Sequence, residues 1–155
     1  MNTHARFVMN PWRLAFLPLI AAAALAVTGS ATTAAPIPSA EQNTFTKWVT
    51  TAPNMAGVVG GAVGDGSYAG QILKRTPGDT TVIEALYHFS GSKHSFTALV
   101  HVEQTGPKAV IIGVVTDGWL KGNQVKGEYT QITSTQSPNG TAFQGTLNIM
   151  GGPRD

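Results

Sequence analysis

The side chains best suited to proton transfer in this sequence are Glu84 and His101, which fall diagonally across neighbouring strand-like runs on an outward face. A carboxylate beside an imidazole can orient a general base. No nucleophile stands alongside, so the plainer reading is a polar pair at the rim of an apolar surface. His88 and His94 bracket the same hairpin, and the three histidines lack the spacing of a zinc motif. Asp65, Asp79 and Asp117 each adjoin glycine, yet each stands alone and not in an alternating acidic loop, so tight turns explain them better than calcium. The glycine-dense run 57–70 lacks the Lys-Ser/Thr ending of a phosphate loop and precedes a strand. No metal, cofactor or catalytic residue is expected.

Tyr68, Tyr87 and Tyr129 share the expected inner face with Lys74. Buried phenols must find hydrogen-bond partners, so an interior carrying several of them suggests water or a ligand. Trp119 and Leu120 lie in a connection where solvent-facing residues would be usual, and they either cap the core or gate a pocket. The candidate ligand-binding residues are therefore Tyr68, Tyr87, Phe96, Trp119 and Tyr129.

Positioning these residues requires strands. Turn residues recur about every dozen positions, at Gly64-Asp65-Gly66, Pro77-Gly78-Asp79, Gly91-Ser92, Gly106-Pro107, Asp117-Gly118 and Asn139-Gly140. Strand-like runs fill the intervals at 57–63, 67–76, 81–89, 94–104, 109–116, 123–133 and 141–150. Short links make sequential strands antiparallel neighbours. The expected fold is an all-β, antiparallel up-and-down barrel of about seven to eight strands, with a sandwich as second choice. One short helix is expected over 39–51: Ser39 and Gln42 form a capping box, Phe45, Trp48 and Val49 share a helical face, and Pro53 ends it. Asn139-Gly140-Thr141 matches a glycosylation sequon, pertinent only to a eukaryotic host.

Opposed hairpin residues share a face, which fixes the register. Placing Tyr87 opposite Phe96 sets Ala85 against Ala98 and Ile83 against Val100. In the next pair Val102 meets Ile111, Val100 meets Gly113 and Ala98 meets Val115. Val125, Tyr129, Phe143, Leu147 and Ile149 extend this apolar inner stripe. The outer face is polar in the last two strands, through Lys126, Glu128, Thr130, Gln144, Thr146 and Asn148. In the middle strands it is apolar, through Val82, Leu86, Leu99, Val110, Ile112 and Val114. Contiguous apolar patches are normally covered. Either the Phe45/Trp48/Val49 helix lies across this one or a second subunit does, and both could hold together.

The N-terminus reads as an export signal. Arg6 and Arg13 precede an unbroken apolar run from Leu14 to Val27, then small residues. The run is shorter than the roughly 20 residues a membrane-spanning helix needs. Cleavage fits best after Ala34, with Ala31 and Ala35 as alternatives, and places the protein in the periplasm or outside the cell without a stable membrane anchor. Of ten Lys and Arg against eight Asp and Glu, two leave with the leader, so the mature chain has eight of each sign and no net charge. Only Lys74-Arg75 are adjacent basic residues, which argues against nucleic acid as a partner. There is no cysteine, so neither disulfides nor thiolate metal sites are possible. The expected organisation is a leader at 1–34, an N-terminal segment with the helix at 35–56, a barrel at 57–150 and a flexible tail at 151–155.

The order of elements, with the glycine-punctuated stretch from Gly113 through Asp117-Gly118-Trp119 to Tyr129, resembles small barrels of the allene oxide cyclase and dirigent type. The resemblance spans about residues 57–149 and rests mainly on glycines and turns. It implies apolar ligands inside the barrel and trimers formed through barrel exteriors. It also implies a cyclase-type activity, but no inward carboxylate matches, since Glu84 and Glu103 face outward. Three functions follow in order: a non-catalytic binder of a small apolar ligand, a structural or interaction protein acting as a homo-oligomer, and a cyclase or isomerase.

Overall fold

The computed structural model describes residues 40–151. Residues 1–39, with the expected leader and its expected cleavage point, and residues 152–155 lie outside the described residues. Strands β1 (Ala40–Val49), β2 (Asn54–Gly61), β3 (Gly66–Thr76), β4 (Thr80–Gly91), β5 (Ser95–Thr105), β6 (Lys108–Gly118), β7 (Gln124–Thr133) and β8 (Thr141–Met150) follow one another in the chain. They pair in that order into a closed antiparallel barrel, β1 completing the ring against β8. Closure removes every free strand edge. The expected all-β up-and-down barrel is therefore the fold, and the sandwich alternative falls.

The helix expected over 39–51 is instead strand β1, and the barrel begins at Ala40 rather than near residue 57. The reason lies in the period. Asn43, Phe45 and Lys47 are buried on alternate positions, while Thr44 and Thr46 face the other way. Thr, Phe, Trp and Val all suit a pleated surface, and an open ring between β2 and β8 selects the extended form. Pro53 sits in the β1–β2 turn. This segment is part of the wall and so does not cover the outer patch.

Register follows the expected parity. In the β4–β5 pair Tyr87 faces Ala98 and Phe89 faces Phe96, a slip of two positions from the expected pairing of Tyr87 with Phe96. An even slip leaves every side chain on its face. The β5–β6 pairs Val102–Ile111, Val100–Gly113 and Ala98–Val115 occur as expected. Strands cross closely, and at Gly145 an added Cβ would lie only 2.0 Å from the Glu128 carbonyl oxygen.

The interior divides into a packed end and an open end. At the packed end Phe89 and Phe96 stack at 4.7 Å, and Val63 from the β2–β3 turn folds inward, fully buried. Asn43, also fully buried, holds that turn: its Oδ1 accepts from the Val63 N–H at 2.9 Å, and its Nδ2 donates to the Leu147 carbonyl. Trp119 stacks on His94 at 4.2 Å as the outer layer of this end.

Candidate functional site

The opposite end of the barrel, where β1 leads into β2 and β3 into β4, is not filled. A recess of about 380 Å³ opens there. Its walls are Val49, Met55, Ile72, Ile83 and Phe143, with Ala52 on the rim. Arg75, Gln104 and Gln131 supply polar groups near the mouth, and Lys47, Tyr87 and Tyr129 line it more deeply. The volume lies at the lower end of the range for small-molecule sites, and the mixture of apolar wall and few polar groups is typical of them.

Lys47 is the unexpected member. Its position in β1 directs it inward between Phe45 and Val49, and only 2 % of it is exposed. Nζ is hydrogen-bonded to Tyr87 Oη. It stands 4.0 Å from the centre of the Tyr87 ring and 4.5 Å from that of Tyr129, with Phe45 and Tyr68 farther out. Aromatic faces attract a cation, but they do not replace a carboxylate. Burial holds the Lys47 amine well below the usual lysine range.

The phenols around it shift the other way. Burial pushes Tyr87 up, and burial followed by the neighbouring Tyr87 pushes Tyr68 up. Tyr129 is pushed up to about 12 by burial, opposed by the Arg75 guanidinium, and its hydroxyl donates to Gln104 Oε1 at 3.0 Å. Tyr68 Oη is buried beside the Tyr87 hydroxyl and makes no hydrogen bond of good geometry among the described residues. It occupies the space left by the missing side chain of Gly70, where an added Cβ would lie 2.5 Å from it. Burial thus keeps the three phenols around the amine in their neutral form at neutral pH.

The expected ligand-binding residues separate into two sets. Tyr87 and Tyr129 line the recess, and Tyr68 lies behind them against the same amine. Phe96 and Trp119 belong to the packed end. Trp119 thus caps the core and does not gate the recess. Lys74, expected inside, is outside: a bulge between Ile72 and Lys74 inserts Leu73 and turns Lys74 onto the outer face opposite Glu84. The interior cation is Lys47 in its place. A lysine within the apolar set of β1 broke the alternation and favoured the helical reading, so the signal that could have found it was Asn-x-Phe-x-Lys-x-Val spacing at positions 43 to 49.

Glu84 and His101 are directly opposed across β4 and β5, closer than the expected diagonal. Nδ1 lies 2.5 Å from Glu84 Oε1, and Nε2 lies 3.4 Å from Glu103 Oε1. The Glu84 carboxylate holds the His101 pKa above the usual histidine value, against some desolvation and with help from Glu103. Both glutamates face outward, as expected. His88 bonds Thr97 Oγ1 at 2.9 Å, and no three potential metal ligands converge among the described residues. The turn reading of the Asp-Gly pairs fits Gly118, whose φ is 81°. Asn139 Oδ1 accepts from the Ser137 hydroxyl and the Thr141 N–H, a turn role.

The outer apolar patch is present. Leu99, Val110, Ile112 and Val114 are 38 %, 60 %, 51 % and 37 % exposed, and Leu99 pairs with Val114 across the β5–β6 ladder. Val82 and Leu86 extend it at half-burial on β4. A groove of about 610 Å³ runs along it between Leu99, His101, Ile112, Val114 and Lys126. No family model matches the chain, and neither a curated protein nor a solved structure matches it.

Proposed function

We propose that this chain is an exported barrel protein that binds a small, largely apolar molecule at its open end without transforming it. The observation that carries the reading is the contrast between the ends: one is sealed by Val63, Phe96 and Trp119, the other is an apolar-walled recess of about 380 Å³. A fold that can pack one end solid has no packing reason to leave Val49, Ile72, Ile83 and Phe143 bordering open space at the other. Export is supported by the basic, apolar and small-residue order of the first 34 positions. The test is titration of 1-octanol into the chain beginning at residue 35, followed by thermal unfolding and tyrosine fluorescence. The midpoint should rise with concentration, since a ligand at 100 times its Kd stabilises by about 2.7 kcal/mol. Ile83→Trp, which fills the mouth, should abolish the rise. An unchanged midpoint at saturating octanol rejects the reading.

A second reading, compatible with the first, is self-association through the outer face. It is supported by the exposed apolar side chains of β5 and β6, which neighbour one another in register. Sedimentation should show an oligomer that Leu99→Lys with Ile112→Lys converts to a monomer. A monomeric wild type rejects it.

A further inference from the structure

Resting on the reading of the open end as a small-molecule site, we propose that its ligand is an apolar monocarboxylic acid whose carboxylate lies against Lys47 at the floor of the recess. Donors outnumber acceptors around the floor of the recess. Lys47 Nζ makes one hydrogen bond, to Tyr87, which leaves at least one N–H unused. Tyr68, outside the lining, has the Tyr87 hydroxyl beside it and takes no part in this excess. At the rim Arg75 pairs with no carboxylate among the described residues. Of the two side-chain amide oxygens near the mouth, that of Gln104 accepts from Tyr129. The lining contains no Asp or Glu at all. The recess therefore offers donors and positive charge to an occupant that brings acceptors and negative charge.

The apolar walls set the remainder of the ligand. Ile83, Ile72 and Phe143 carry no hydrogen-bonding side chains, so the part of the acid that meets them is short and aliphatic or aromatic. Buried polar groups without partners are costly, and a carboxylate against Lys47 accepts from the N–H that Tyr87 leaves free. Its arrival also changes the protonation of the site. The groups facing Lys47 are the phenols of Tyr68, Tyr87 and Tyr129, with Arg75 at the rim, and none is an anion at neutral pH. A bound carboxylate becomes the counter-charge that Lys47 lacks, which favours the protonated amine.

The test is calorimetric titration of sodium octanoate and, separately, 1-octanol into the chain beginning at residue 35. Octanoate should bind about tenfold more tightly or better, a factor worth 1.4 kcal/mol. Lys47→Met should bring the two affinities together. Equal affinities in the wild type, or an octanoate preference that Lys47→Met leaves intact, overturn the acid against Lys47 while leaving the apolar site standing. Failure of both ligands to bind overturns the site itself.

Discussion

Lys47→Met replaces a buried amine by a side chain of similar length, and its effect on stability should depend on pH in a defined way. Burial lowers the folded-state pKa of Lys47 well below its ordinary value near 10.5. Between those two values the unfolded chain holds a proton that the fold has released. Unfolding free energy then rises with pH by about 1.4 kcal/mol per unit, the linkage for one proton. The wild type should therefore gain stability relative to the variant as pH rises toward about 10.5, by at most about 1.4 kcal/mol per unit. The penalty is full below the folded-state pKa and vanishes above the unfolded one. The variant should therefore be the more stable protein at pH 8, with the gap closing as pH rises. The raised phenols of Tyr68, Tyr87 and Tyr129 act in the opposite sense. Their contribution is lost as pH rises above about 10, where unfolded tyrosines ionise. They leave the lower interval to Lys47. Urea unfolding of both proteins at pH 8, 9 and 10 measures the difference directly. Parallel curves would mean that Lys47 is charged and hydrated in the fold, and would refute its description as a desolvated amine.

Asn43→Ala should cost about 1–3 kcal/mol by leaving the buried Val63 N–H without its acceptor, read as a lower denaturation midpoint. Gly70→Ala places a Cβ 2.5 Å from Tyr68 Oη and 2.7 Å from Met55 Cε, and should destabilise by about 1–3 kcal/mol in the same assay. His101 should titrate by NMR with a midpoint above the ordinary histidine value of 6.5, and Glu84→Gln should lower that midpoint. In stability the sign is the reverse of that for Lys47. The His101–Glu84 pair contributes below about pH 6.5 and loses its contribution as pH rises through the folded-state value.

The barrel was legible in the sequence because its evidence is local. Turns at regular spacing and one parity of apolar residues suffice to order β2 through β8, and a two-residue slip between β4 and β5 does not disturb a face. What escaped depends on closure. Asn43 and Lys47 point inward because β1 must bridge β2 and β8, and the alternation from position 43 to 49 shows which residues share a face but not that the face is interior. Lys74 was misplaced for a related reason: a single bulged residue reverses the parity for all that follows it in β3. Of the candidate site, Tyr87 and Tyr129 were visible from parity. Their separation from Phe96 and Trp119 was not, since parity tells inside from outside but not one end of a barrel from the other.

The barrel interior is solid at one end and open at the other. Two-dimensional methyl and amide NMR during titration with 1-octanol tests that asymmetry most directly. Saturable shifts should concentrate at Val49, Ile72, Ile83 and Phe143, with Val63, Phe96 and Trp119 unmoved. Shifts centred on Trp119 and Phe96, or spread over Leu99 and Ile112 on the outer wall, would contradict it.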